Sequence, residues 1–368
     1  MAYYAPKDFV RNPELLESVV EIFRGRMDLQ WMHAATERVR FRPSHPDRGL
    51  VYDDTNHGSY GWDAIPEKIR HNFSMAPRGA FQPPGLPHLG YDINRKSEVW
   101  SDAAPGLYEE AKARHWVPTR EVPWEALAAL GHSEDRERGL AQIYTALTSM
   151  AIALEDIPSK WVWHINHEMV ELKSWLCAQM MDAAQLADAF RKRAIAGGTG
   201  LGHDQAPLGE LLKGVLDAGT FPCTSIGGNL VLAGLVQVLL RQIGSVSTND
   251  ADQTLARFGV QDVSRMLSYG TSHLRSLLAA RPHERKALSD HLDELENLLI
   301  GLLGSPLFFS SLAVATGGSR EKAGAAGPEI VRLYRVLADE HLARCKAAGL
   351  ERAPGQTPLA VFVREIEG

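Results

Sequence analysis

The sequence predicts an all-α protein, on three observations. From Gly106 onward the chain is rich in Ala and Leu, and apolar residues recur three and four places apart. Short clusters of Gly, Pro, Ser and Asp separate these stretches. No run alternates apolar with polar residues as a half-buried strand would. Long helices with short connections describe an antiparallel bundle.

Residues 1–105 read as a loop-rich N-terminal arm. Segments such as RPSHPDRG, DDTNHGSYGWD and MAPRGAFQPPGLPHLGYD are turn formers. One helix fits within 13–40, where Leu15, Val19, Ile22, Phe23 and Met27 fall on one face. Residues 106–303 form the bundle, with helices expected over 106–115, 134–157, 160–196, 206–217, 223–244, 249–280 and 283–303. Residues 304–368 add C-terminal helices packing on it, one of them over 328–348. The breaks are expected at Pro158, AGGTGLGHD, DAGTFP, GSVSTND, RPHE and ATGGSREKAGAAGPE. No fixed-period repeat is present, but two helix pairs echo each other, one ending in MMDAAQLADAF and the other in VQDVSRMLSYG.

With 368 residues, 45% of them hydrophobic, the chain can bury a sizeable core. A formal charge of −6 gives no general attraction to nucleic acid or acidic membranes. Three scattered cysteines, Cys177, Cys223 and Cys345, suit a reducing cytoplasm better than a disulfide framework. The first residues show no basic segment followed by an apolar one, so no signal peptide is expected. The weakly charged run from Leu298 is interrupted by Gly301, Gly304 and Ser305-Pro306, which favours two buried helices over a membrane span.

Three blocks carry a resemblance: LYEEAKARHWVPTREVPWEAL (107–127), LEDIPSKW (154–161) and AQMMDAAQLADAFRKRA (178–194). With NLVLAGLVQ (229–237) and QDVSRMLSYGTSHLR (261–275), they are similar to the ferritin-like diiron family related to ribonucleotide reductase small subunits. The oxygenase-like branch is the nearest in character, and the resemblance spans roughly 105–300. It implies a ferritin-like antiparallel bundle in which two metal ions are held by one Glu from each of two helices and a Glu-x-x-His from each of the others. Carried over position by position, the first lone Glu falls at Ala151 and the first Glu-x-x-His at Ala183 and Leu186. The second lone Glu falls at Ala233, and the second Glu-x-x-His at Val263 and Met266.

None of these six is a carboxylate or an imidazole. Nothing there would compensate an ion for losing its water, so neither metal nor other cofactor is expected. Polar residues remain one turn away: Thr148 and Glu155 about Ala151, Gln179 before Ala183, Asn229 and Gln237 about Ala233, and Tyr269 past Met266. Asp182 and Asp262 stand where the family keeps an acid that orients a ligand His, and Arg265 is an ion-pair candidate at i+3 from Asp262.

Other sites are weaker. His164, His167, Glu168 and Glu171 would form one stripe if helical, a spacing that can chelate zinc, although polar residues at a bundle end commonly just face water. Cys223 begins a helix, which can lower a thiol pKa, but no local signature surrounds it. GGTGLG (197–202) follows no strand and is a loop.

The resulting expectation is a cytoplasmic homodimer binding a small apolar or aromatic metabolite in the former metal cavity, with no nucleic-acid or membrane partner. Glu155 is the expected proton-transfer group, Tyr269 the donor to a substrate oxygen, Gln179 and Gln237 the orienting amides, and Asp182 and Asp262 the next acids. Redox-neutral cyclisation, condensation or isomerisation fits a site without metal. The alternatives are a silent binding or scaffold subunit and a cofactor-free oxygenase.

Overall fold

The computed structural model describes residues 13–26, 29, 32, 93–127, 132–166 and 169–367. Among these, twelve α-helices form and no strand does; an isolated parallel bridge joins Ile93 to Ile165. The helices are α1 (Pro13–Phe23), α2 (Ala104–Ala113), α3 (Pro118–Glu121), α4 (Glu134–Val162), α5 (Val170–Ala196), α6 (Ala206–Leu216), α7 (Phe221–Val246), α8 (Asp250–Ala280), α9 (Arg285–Leu303), α10 (Pro306–Gly317), α11 (Arg320–Ala347) and α12 (Pro358–Glu367).

The four long helices α4, α5, α7 and α8 make the bundle. α4 packs along α5 and α7 along α8, while α5 meets α8 and α4 meets α7. Capping fixes where they begin. Ser133 Oγ accepts from Arg136 N at 3.2 Å and Asn249 Oδ1 from Asp252 N at 2.7 Å, each satisfying an end donor of its helix. Thr220 Oγ does the same for Cys223 N at the start of α7. Within α7, Gly227–Leu232 is a π-helical segment that ends against Ala233. α7 is long and apolar enough to cross a membrane, but most of its surface is buried in the bundle. α10 lies on α4, α11 on α10 and α7, and α12 on α11 and α9, so one apolar core runs from Leu147 through Leu302 and Phe308 to Leu359.

One expected break is absent, and another, ATGGSREKAGAAGPE, is narrower than expected. α4 continues through Pro158 to Val162. Proline removes its own backbone donor and crowds the carbonyl of Leu154, and burial of Ile157 and Trp161 on either side outweighs that cost. α11 begins at Arg320 and includes Pro328; the actual break is Gly318, whose φ of +87° ends α10 in the left-handed region. Conversely, residues 163–166 and 169, expected to be helical, lie between α4 and α5 outside any helix. In α1, Val19, Ile22 and Phe23 are exposed, while Met27 and the Leu15 side chain lie outside the described residues.

Candidate functional site

Ala151, Ala183, Leu186, Ala233, Val263 and Met266 are all fully buried and belong to one core cluster between α4, α5, α7 and α8. Leu186 comes within van der Waals reach of Gly259 on α8, so it fills space rather than holding an ion. Six hydrocarbon or thioether side chains do not fit an iron or manganese pair, which needs carboxylates and imidazoles. Among the described residues, no three His, Cys, Asp or Glu side chains gather as a metal site would require.

Charge is present beside this cluster instead. Arg265 Nη2 donates to Asp182 Oδ2 at 2.7 Å and to Asp262 Oδ1 at 2.6 Å, and Nε reaches Asp182 at 3.1 Å. Trp116 Nε1 donates to the other oxygen of Asp262 at 2.8 Å. All four side chains are buried. One guanidinium thus serves two carboxylates in a dry place. Burial, reinforced by the Asp182 charge, pushes Asp262 up to about 7, and burial raises Asp182 as well. Both acids are therefore engaged in a structural ion triad.

The polar residues divide into those with partners and those without. Thr148 donates to Tyr144 O at 2.8 Å, and Gln237 turns to Ser264 Oγ at 2.9 Å in a half-buried position between α7 and α8, away from its expected orienting role. Tyr269 is fully buried and donates to Val99 O at 2.8 Å, so its proton is not directed at the six-residue cluster. Burial raises its pKa well above the ordinary value. Glu155 is half-buried on α4 rather than enclosed. Gln179 is different: it is fully buried, and neither its amide oxygen nor its nitrogen has a partner. Asn229 Oδ1 and Trp175 Nε1 are likewise buried and unpartnered. These three lie toward one end of the bundle, where Trp175 meets Tyr269 with ring centroids 5.9 Å apart and Gly270 lies against Asn229.

A further chain of groups occupies that end. Asn229 Nδ2 donates to Ser225 Oγ at 3.3 Å, Ser225 Oγ lies 3.0 Å from His273 Nδ1, and His273 Nε2 lies 3.0 Å from Glu98 O. A carbonyl can only accept, so Nε2 carries the proton and Nδ1 accepts from the serine hydroxyl. Burial lowers His273 to about 4, leaving the imidazole neutral. This pair escaped the sequence reading; its only sign was the spacing of His273 one turn past Tyr269 and Ser225 one turn before Asn229.

The alternative sites change character. His164 precedes α5 and its carbonyl accepts from Ile93 N at 3.0 Å, so it cannot share a helical stripe with Glu171, which is buried. His167 and Glu168 lie outside the described residues. Burial raises the Cys223 pKa, opposite to what an activated thiol needs. GGTGLG follows α5 as a loop, and Gly197 lies against Glu137, which with Asp252 holds the buried Arg193.

No family model and no curated protein matches the chain. Among solved structures, a variant of an R2-like ligand-binding oxidase with a Mn/Fe cofactor aligns at 16% identity, covering 66% of this chain and 92% of that one, with a TM-score of 0.52. A second variant, with an Fe/Fe cofactor, aligns at 17% identity over the same shares, with a TM-score of 0.50. At such identities the likeness speaks for the backbone, and it agrees with the blocks that first suggested it. The chain has the ferritin-like fold of the R2-like ligand-binding oxidases.

Proposed function

We propose that the bundle interior is the site of a metal-independent enzyme that takes a small apolar or aromatic metabolite of specialised biosynthesis through a redox-neutral condensation, cyclisation or isomerisation. The observation carrying this reading is Gln179, whose whole amide is buried without a partner one turn from the apolar cluster. A buried polar group left unpaired costs roughly 1–3 kcal/mol, so a polar atom of a ligand is the natural partner. Asn229 Oδ1 and Trp175 Nε1 add further unpaired groups, matching the description of a small-molecule site: apolar walls with a few convergent polar atoms.

The test is the pair Gln179→Leu and Ala183→Phe. Small molecules retained by the full-length protein are extracted and identified by mass spectrometry, and stability is followed in parallel. The reading expects Gln179→Leu to lose the retained molecule without loss of stability, since it removes an unpaired amide. It expects Ala183→Phe to block retention while leaving the fold intact. A filled core would instead be overpacked by Ala183→Phe, at about 1–3 kcal/mol, with Gln179→Leu changing nothing bound. That outcome would favour a silent scaffold subunit, which the tying of Asp182 and Asp262 to Arg265 also suits. Elemental analysis belongs to the same experiment; two irons or manganese ions per chain would overturn the metal-independent reading.

A further inference from the structure

Between the end of α4, the start of α7 and the start of α9 lies a cleft of about 410 Å³. Trp161, Phe221, Ile93 and Leu288 give it apolar walls, and Glu98 and Arg281, paired at 3.3 Å, supply polar groups. Phe221 also reaches the interior: its ring meets His273 edge-on with centroids 5.3 Å apart and Trp161 at 6.1 Å. The Phe221 ring therefore touches both the cleft and the imidazole of the Ser225–His273 pair.

We propose that Ser225 and His273 are the nucleophile and base of an acyl transfer on a small aromatic or apolar acyl ester that enters through this cleft past Phe221. The geometry supplies each part. The serine hydroxyl points its proton at His273 Nδ1, and the Glu98 carbonyl holds the imidazole in the tautomer that can receive it. Asn229 Nδ2 donates to the serine oxygen at 3.3 Å, and the same amide nitrogen is the nearest donor for charge that develops beside that oxygen during acylation. Asn229 Oδ1 and Gln179 remain to receive polar groups of the substrate. In the step, the Oγ–acyl bond forms and the acyl–oxygen bond of the ester breaks. The serine proton passes to Nδ1 and then to the departing alcohol or phenol. Water, or a second alcohol or amine, then takes the acyl group by the reverse path, so no oxidant or reductant enters.

This inference rests on the reading that the interior admits small molecules. The probe is 4-nitrophenyl acetate on the full-length protein, with release of 4-nitrophenolate timed and the acetyl group located by peptide mass spectrometry. Acetylation of Ser225 is expected. Ser225→Ala and His273→Gln should each slow release by about 100-fold or more, His273→Gln with a flattened pH profile. Phe221→Ala should raise the acylation rate severalfold and Phe221→Trp lower it. Acetyl found only on surface lysines or cysteines, or release unchanged in folded Ser225→Ala, overturns the proposal. Should Ser225→Ala fail to fold, Ser225→Cys decides, because a folded Cys variant that takes no acetyl is equally fatal. Gln179→Leu separates the two readings. If it abolishes retention of the natural molecule while Ser225 never labels, the interior reading survives and the acyl transfer does not. If Ser225 labels as expected but neither Gln179→Leu nor Ala183→Phe affects retention, the acyl transfer stands and the placing of the natural molecule beside Gln179 and Ala183 does not.

Discussion

His273 and Asp262, both buried, pull the stability of the fold in opposite directions as pH changes. His273 sits near 4 when folded against an ordinary 6.5, so the folded chain binds fewer protons than the unfolded one between those values. Its stabilising contribution is full above 6.5 and is lost as pH falls toward 4, by about 3 kcal/mol. Asp262 sits near 7 against 3.8, so its contribution is full below 3.8 and is lost as pH rises through 7. Urea unfolding should therefore show His273→Gln losing less stability than the parent between pH 7 and 4.5. A parallel fall in the two proteins would refute the buried neutral imidazole. Replacing Arg265 with Leu should cost about 3–5 kcal/mol at pH 8, where two carboxylates are left without their cation, and clearly less at pH 5. The Asp262–Arg265 pair was readable from its i+3 spacing on one helix. The Ser225–His273 pair was not, because its members lie on different helices and spacing along a helix says nothing of how two helices are rotated toward each other.

At the scale of the element, helix existence was legible from apolar periodicity, whereas ends near proline were not. Pro158 and Pro328 carry the same local signal as a true break, and only tertiary burial distinguishes them. Glycines show the same division. A Cβ on Gly270 would lie 2.7 Å from Asn229 Cβ and 3.1 Å from its carbonyl oxygen, so α8 needs glycine there to approach the π segment of α7. Gly270→Ala is expected to cost about 1–3 kcal/mol in thermal or chemical unfolding. A Cβ on Gly209, inside α6, would meet no other atom within 4 Å. Gly209→Ala should instead stabilise by about 0.5–1 kcal/mol, through a less flexible unfolded chain. Equal effects from the two substitutions would contradict this packing.

On the scale of the whole molecule, the C-terminal helices are joined to the bundle by a buried polar knot. Glu296 of α9 accepts from His341 Nε2 at 2.9 Å and from Leu359 N at 3.1 Å, and is also paired with Arg352. His341 is raised to about 9, with Cys345 and Glu296 overcoming the cost of its burial. Its contribution is full below 6.5 and lost as pH rises through 9. Protection of α12 amides from hydrogen exchange, taken relative to the intrinsic rate at each pH, should fall above pH 9, and Glu296→Gln should bring that fall to lower pH.

The π segment has a consequence for insertions and deletions. A π turn behaves as an α-helix carrying one extra residue, so Phe221–Ile226 and Ala233–Val246 are out of phase with each other by about 100° compared with an uninterrupted helix. Deleting one residue within 227–232 would remove that extra residue and let α7 wind regularly, with the halves on either side keeping their relative angle and rise. Ser225 would still face His273 and Phe221 would stay in the cleft wall, although the chain between them and Ala233 had been shortened. The π turn thus holds one residue of slack, at the one stretch of α7 where a deletion leaves the groups on both sides in register.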